Sequence, residues 1–225
     1  MTVYREGARR LVVLASGGVD SAVLLAHQSC LGDEVQPIYI RFGLAWEAAE
    51  EEHLRRFLET LPADGRVRPL IALEFPVADV YGPHWSVSGA GVPDEGSSDA
   101  AVYLPGRNLL LLAKSSVWCA LNDFGVMMLG TLKANPFADS GSDFLSGLAT
   151  LASSALGYHL AVETPFAGLN KVEVLERGRH LPLGLTFSCI DPEEGEHCGR
   201  CNKCAERRRA FAGSGLADPT VYASH

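Results

Sequence analysis

The feature that most constrains this chain is its first apolar run. LVVLA (residues 11–15) is short, continuous and β-branched, and it breaks at a serine and two glycines before a helical pattern begins at residues 20–31. A strand with no polar face must be buried on both sides, which demands a sheet with helices over each face. The rest of the chain repeats the pattern. VQPIYI (35–40), PLIALEF (69–75), GVMMLG (125–130) and HLAVET (159–164) read as further strands, with helices at 46–61, 108–124, 142–156 and 170–180. The expected fold is α/β, a doubly wound parallel five-stranded sheet.

Composition narrows what such a sheet can serve. The chain has 225 residues, 47% of them hydrophobic, enough to bury a core without staples and too apolar for a disordered chain. Its 19 basic and 27 acidic residues leave a net charge of −8, which argues against a coat for nucleic acid. No apolar run approaches the ~18–20 residues of a membrane span. The opening MTVYREGARR lacks a cleavage site behind an apolar stretch, so no signal peptide is read and the chain is expected in the cytoplasm. Residues 76–105 are rich in Gly, Pro, Ser and Asp and have little periodicity. A loop of that length is a lid or disordered, and residues 82–104 are expected to close over the site.

In a parallel sheet, ligands bind beyond the carboxyl ends of the strands. The first such end carries SGGVDS, in which Gly17 and Gly18 let the backbone turn tightly and approach an anion. Ser16 and Ser21 add hydroxyl donors, and the helix opening around Val19 and Asp20 adds its positive dipole end. This composition suits a phosphate cradle, and equally an ordinary strand–helix turn capped by Asp20. The loop holds no lysine, so charge for a triphosphate must come from Arg107, from Lys133 after the fourth strand, or from Lys171 after the fifth.

Four of the six cysteines, Cys189, Cys198, Cys201 and Cys204, share the spacing C-x8-C-x2-C-x2-C. Four thiolates at such intervals close around one tetrahedral ion, with zinc preferred over an iron–sulfur cluster. A filled site of this kind is structural. Redox chemistry at C-x2-C and a nucleic-acid-binding knuckle are the competing readings. The second draws on Arg200, Lys203, Arg207, Arg208 and Arg209, against the acidic balance of the remainder. Cys30 and Cys119 stand alone in apolar helical stretches and are expected in the core.

SGGVDS behind a first strand resembles the loop of the pyrophosphatase-loop ATP-using enzymes, which have the adenine nucleotide alpha hydrolase-like fold. With the cysteine cluster and AERRRAF (205–211), the chain resembles the 7-cyano-7-deazaguanine synthase family. Its members convert 7-carboxy-7-deazaguanine, ATP and ammonia into a nitrile on the way to queuosine. LPGRNLLLL (104–112), TPFAGLNKVEV (164–174) and the pair Ser188-Cys189 agree with the family pattern, so the resemblance runs from residue 11 to 211. It implies that Ser16, Gly17, Gly18, Val19, Asp20, Ser21, Arg107, Asn108 and Lys133 hold ATP, and that Asp20, Lys171 and Arg107 act in catalysis. Mg2+ would share the phosphate charge, and the four cysteines would hold a structural zinc. It further implies an ATP-binding domain at 1–185, a zinc-binding segment at 186–225 packed on it, and a homodimer.

Two segments depart from the pattern. Residues 41–46 (RFGLAW) are mostly apolar where the family carries a polar Gln-Arg element. Residues 130–144 (GTLKANPFADSGSDF) lack the tyrosine, cysteine and arginine of a stretch thought to face the deazaguanine. ATP handling is thus expected to be intact and the acceptor pocket rebuilt. Adenylation of a carboxylate followed by attack of ammonia is the leading expectation. An amide ligase using a different carboxylate or amine is the alternative, and a nucleotide-binding module without catalysis is the third reading.

Overall fold

A computed structural model describes residues 7–133 and 135–224; the start of the basic opening stretch, on which the absence of a signal peptide was read, lies outside the described residues. Five strands form one sheet: β1 (Arg10–Leu14), β2 (Glu34–Arg41), β3 (Ile71–Glu74), β4 (Val126–Met128) and β5 (Ala161–Glu163). All pairings are parallel, in the order β3-β2-β1-β4-β5. The order reverses at β1, so the crevice beyond the ends of β1 and β4 is the topological switch point where ligands bind.

Alternation along β1 divides the core. Leu11 and Val13 face a layer that includes Val23 and Leu24 of α1 (Val19–Cys30), Leu54 of α2 (Glu47–Glu59) and Val174 of α7 (Lys171–Arg177). Val12 and Leu14 face the opposite layer, with Leu112 of α5 (Arg107–Leu121) and Leu145 of α6 (Ser142–Leu156). Both faces of β1 are fully covered, as its unbroken apolar sequence requires. No helix among the described residues is long and apolar enough to cross a membrane.

Two expectations need correction. The segment 76–105 holds two one-turn helices, α3 (Ala78–Tyr81) and α4 (Trp85–Ser88), and a 3-10 turn at Asp99–Val102. Elements of four residues are too short to show periodicity. This segment is also tied to the C-terminal region: Asn202 N–H donates to Pro93 O at 2.9 Å, Glu95 N–H to Arg200 O at 2.9 Å, and Asn202 Nδ2 to Ser97 O at 2.7 Å. Finally, Cys119 is in the core but Cys30 is exposed. Cys30 ends α1 one turn beyond half-buried His27, on the side of the helix turned from the sheet.

The last helix, α8 (Asn202–Ser214), packs against α7 through Ala210 and Phe211. The end of α8 thereby joins the layer that also holds the start of α1, while the four cysteines cluster with the opposite layer.

Candidate functional site

The loop after β1 is drawn tight by its own hydroxyls. Ser16 N–H donates to Ser21 Oγ at 3.2 Å, Gly18 N–H to Ser16 Oγ at 3.4 Å, and Ser21 Oγ to Gly18 O at 3.2 Å. The two glycines serve different needs. Gly17 has φ +73°, and a Cβ there would lie 2.9 Å from Glu50 O, so the fold itself requires glycine. Gly18 has φ −66°, and a Cβ would meet nothing nearer than Ser16 Oγ at 3.4 Å. The fold tolerates a side chain there; close approach of a ligand to the backbone would not. Val19 is buried at the first turn of α1.

Beyond the loop opens a cleft of about 410 Å3 at the carboxyl ends of the strands. Ser16, Gly18, Asp20, Arg107, Asn108 and Lys171 all line it. Lys171 Nζ lies 2.6 Å from Asp20 Oδ2 and 3.8 Å from Glu206 Oε1. Burial alone would lower the lysine's pKa, but the Asp20 and Glu206 carboxylates outweigh it and hold it above the ordinary value. Asp20 Oδ1 and Arg107 Nε are both buried without a hydrogen-bond partner. Polar atoms left so at the mouth of a cleft are suited to a ligand or an ion.

Asn108 is turned to structure: its Nδ2 donates to Asp139 O at 3.1 Å, and its backbone N–H to Asp139 Oδ2 at 3.0 Å. Lys133 is exposed and is not among the residues lining the cleft, because its backbone is anchored outward on Leu169 O at 3.0 Å. Lys203, from the cysteine segment, does line it.

The opposite wall is aromatic. Trp46 stacks on Trp85 with centroids 5.6 Å apart, and Tyr103 on Phe137 at 4.9 Å. All four line the cleft, and two of them come from the segments that depart from the family pattern. Sequence reasoning missed Glu50, which sits beneath this wall and accepts from Tyr39 OH at 2.7 Å. Burial raises its pKa to about 7, partly offset by Arg107 and the tyrosine bond. The only sequence signal was its place on the inward face of α2, four residues after Trp46.

The four cysteine sulfurs lie within 4.8 Å of one another, all buried. Cys189 Sγ is 3.5 Å from Cys198 Sγ and 3.8 Å from Cys201 Sγ. Sulfurs at about 2.3 Å from one tetrahedral ion stand about 3.8 Å apart, so the set fits zinc. Backbone N–H groups of Asp191, Cys198 and Cys201 point at the sulfurs at 3.3 Å, as they do around thiolate ligands. His197 takes no part: its Nε2 accepts from Ser188 N–H at 3.2 Å, and burial, with Arg207 nearby, lowers its pKa to about 3.

Of the basic residues of this segment only Arg207 is buried; Arg200, Arg208 and Arg209 are exposed. Arg207 is buried and donates to Leu183 O at 2.8 Å and Thr186 Oγ1 at 2.9 Å, while Arg208 covers the Tyr222 ring and donates to Gly199 O at 2.7 Å. Arg200 pairs with Asp191 at 3.1 Å. A second cavity of about 550 Å3, floored by Leu183, Phe211 and Pro219, lies away from the strand ends and shares no residue of the loop.

Comparison with known proteins places this geometry. The 7-cyano-7-deazaguanine synthase of Azoarcus is 31% identical over 224 residues, covering 95% of this chain and 96% of that one. That of Pelobacter propionicus is 32% identical over 231 residues, covering 95% and 98%. The fold is shared with a 4-thiouridine synthetase solved with RNA and bound ATP, at TM-score 0.52 and 15% identity, over 95% of this chain and 47% of that one. The family model of queuosine biosynthesis protein QueC matches residues 10–215, from the first strand through the cysteine cluster to the end of α8, and the chain belongs to that family.

Proposed function

We propose that this protein activates a carboxylate with ATP and passes the acyl group to ammonia, as a 7-cyano-7-deazaguanine synthase does. The reading is carried by one observation: a glycine-serine phosphate loop with Lys171 and Arg107 shares a single cleft with an aromatic wall and a buried carboxyl group. The loop N–H groups and hydroxyls of Ser16, Gly17, Gly18, Val19 and Ser21 take the β- and γ-phosphates. Lys171 and Arg107 offset charge on departing pyrophosphate as the carboxylate oxygen attacks the α-phosphorus. The orphaned Asp20 Oδ1 suits Mg2+, which would supply further charge neutralisation to the phosphates.

The acyl adenylate then meets ammonia: a C–N bond forms, the C–O bond to AMP breaks, and Glu50 accepts a proton from the amine. A carboxyl group titrating near neutrality suits that transfer. The product of one cycle is an amide. Reaching a nitrile requires loss of the amide oxygen: a second ATP adenylates that oxygen with release of pyrophosphate, and AMP then departs with it as the nitrogen gives up its two protons.

The planar acceptor lies against Trp46 and Trp85 or Tyr103 and Phe137. This wall also supports an amide ligase with another acceptor, because rings recognise shape where the family pattern has polar groups. Residues 1–185 form the ATP-binding part and 186–225 the zinc-binding part, on the fit of the cysteines to zinc. Reduced thiol ligands favour a cytoplasmic setting. Exposed Leu121 on α5 and Leu151 on α6 support a homodimer across that face, which sedimentation of the purified protein would test.

The deciding assay supplies ATP, 7-carboxy-7-deazaguanine and ammonium and follows AMP and nitrile. AMP with nitrile supports the synthase, AMP with amide alone supports the ligase, and no AMP with any carboxylate overturns both.

A further inference from the structure

The phosphate loop lacks a lysine, and the sequence candidate Lys133 stands off the cleft. Lys203 stands in it, between Cys201 and Cys204. Its Nζ is 2.6 Å from Glu206 Oε2, and the other oxygen of Glu206 is 3.8 Å from Lys171 Nζ, which reaches Asp20 of the loop at 2.6 Å. The four groups form an alternating row, Asp20–Lys171–Glu206–Lys203, leading from the loop to the cysteine segment. Each side chain is about a quarter to a third exposed. We propose that Lys203 is a third phosphate-binding cation, lent by the cysteine segment, and that Glu206 is a positioning residue that holds both lysines until phosphate arrives. This rests on the ATP reading above.

Local charge supports the assignment. Without Lys203 the row Asp20–Lys171–Glu206 is net negative, a poor receptor for a polyanion. Lys203 brings the row to neutrality, Arg107 adds a positive charge to the same cleft, and a phosphate oxygen can replace Glu206 on either lysine, exchanging one charge-assisted contact for another.

The test is calorimetric titration of pyrophosphate into the zinc-loaded full chain. Lys203→Ala and Lys203→Gln are each expected to raise the dissociation constant about tenfold or more, with melting temperature and zinc content held. Lys203→Arg should restore most of the affinity. Arg209→Ala removes the same charge from the exposed side of α8 and should change it by less than about twofold. Glu206→Gln should tighten pyrophosphate binding by about threefold, because a competing carboxylate is gone; a merely structural glutamate would give no tightening.

Affinity within about twofold of the parent for both Lys203 variants would overturn the proposal while leaving the ATP reading in place. Weakened binding accompanied by lost zinc would assign the lysine to the metal loop and overturn it too. A parent protein that binds neither pyrophosphate nor ATP overturns both.

Discussion

On one wall of the cleft, the loop from Ser16 to Ser21 presents Ser16, Gly18 and Asp20. On the other, four aromatic rings arrive from four places in the chain between Trp46 and Phe137. The first wall is stereochemically closed: Gly17 cannot carry a Cβ, and the end of β4 presses on the loop so that a Cβ on Gly130 would lie 3.0 Å from Ser21 N. The second is made of one buried ring, Trp46, and three half-buried ones, Trp85, Tyr103 and Phe137. On the function proposed above, such a fold would hold its energy donor constant and leave its acceptor side adjustable.

That contrast can be broken by experiment. The largest effect is expected at Asp20: Asp20→Asn should cut AMP release about a thousandfold, with circular dichroism unchanged. Activity within tenfold of the parent would remove Asp20 from the phosphate machinery.

Next is Glu50, whose burial beneath the aromatic wall costs stability. Its pKa is about 7 in the folded chain against 4.5 as the reference value. As pH rises above 4.5 the unfolded chain loses this proton first, so stability falls until about pH 7 and then levels. Glu50→Gln removes the penalty and keeps an acceptor for Tyr39. It should stabilise by up to about 3 kcal/mol at pH 8 and by nothing at pH 4, read from urea midpoints. An equal shift at both pH values would refute the ionisation account. The same variant should slow amide formation while leaving pyrophosphate binding unchanged.

Trp46→Ala should raise the KM for the carboxylate about thirtyfold through lost stacking and leave that for ATP alone. A rise in the ATP KM instead would mean the two walls are not separable. Smallest is Gly18→Ala, expected to raise the ATP KM about tenfold with a melting temperature within a degree or so of the parent. Gly17→Ala should melt far earlier, because positive φ and a 2.9 Å backbone contact both oppose it.

Much of this was legible beforehand, for physical reasons. β1 had to be buried on both faces, the loop residues sit where a strand–helix turn must be, and four cysteines at fixed intervals have few ways to arrange their sulfurs. Lys133 is not among the residues lining the cleft, since a strand end fixes a residue's neighbourhood and not its side-chain direction. Lys203 was hidden for the opposite reason. Its distance in sequence from the loop is closed only when α8 docks beside α7. Glu50 lies in a run of glutamates, Glu47, Glu50, Glu51 and Glu52, where composition cannot say which one faces inward. The aromatic pairing of Trp46 with Trp85 depends on α4, a helix too short to announce itself.

The stitches between residues 93–97 and 200–202 set an order of events as the chain is made. Domains form from the N-terminus as they leave the ribosome, at 5–20 residues per second, so roughly ten seconds separate the emergence of Ser97 from that of Asn202. During that interval the roof of the cleft is held at its start, where Val77 N–H bonds to Phe42 O and Ala45 N–H to Ser86 O. Residues 93–97 gain their partners only once the cysteine segment has emerged. The reach of proteases toward residues 93–97 while the last cysteines are still unmade therefore bears on how many chains survive their own synthesis.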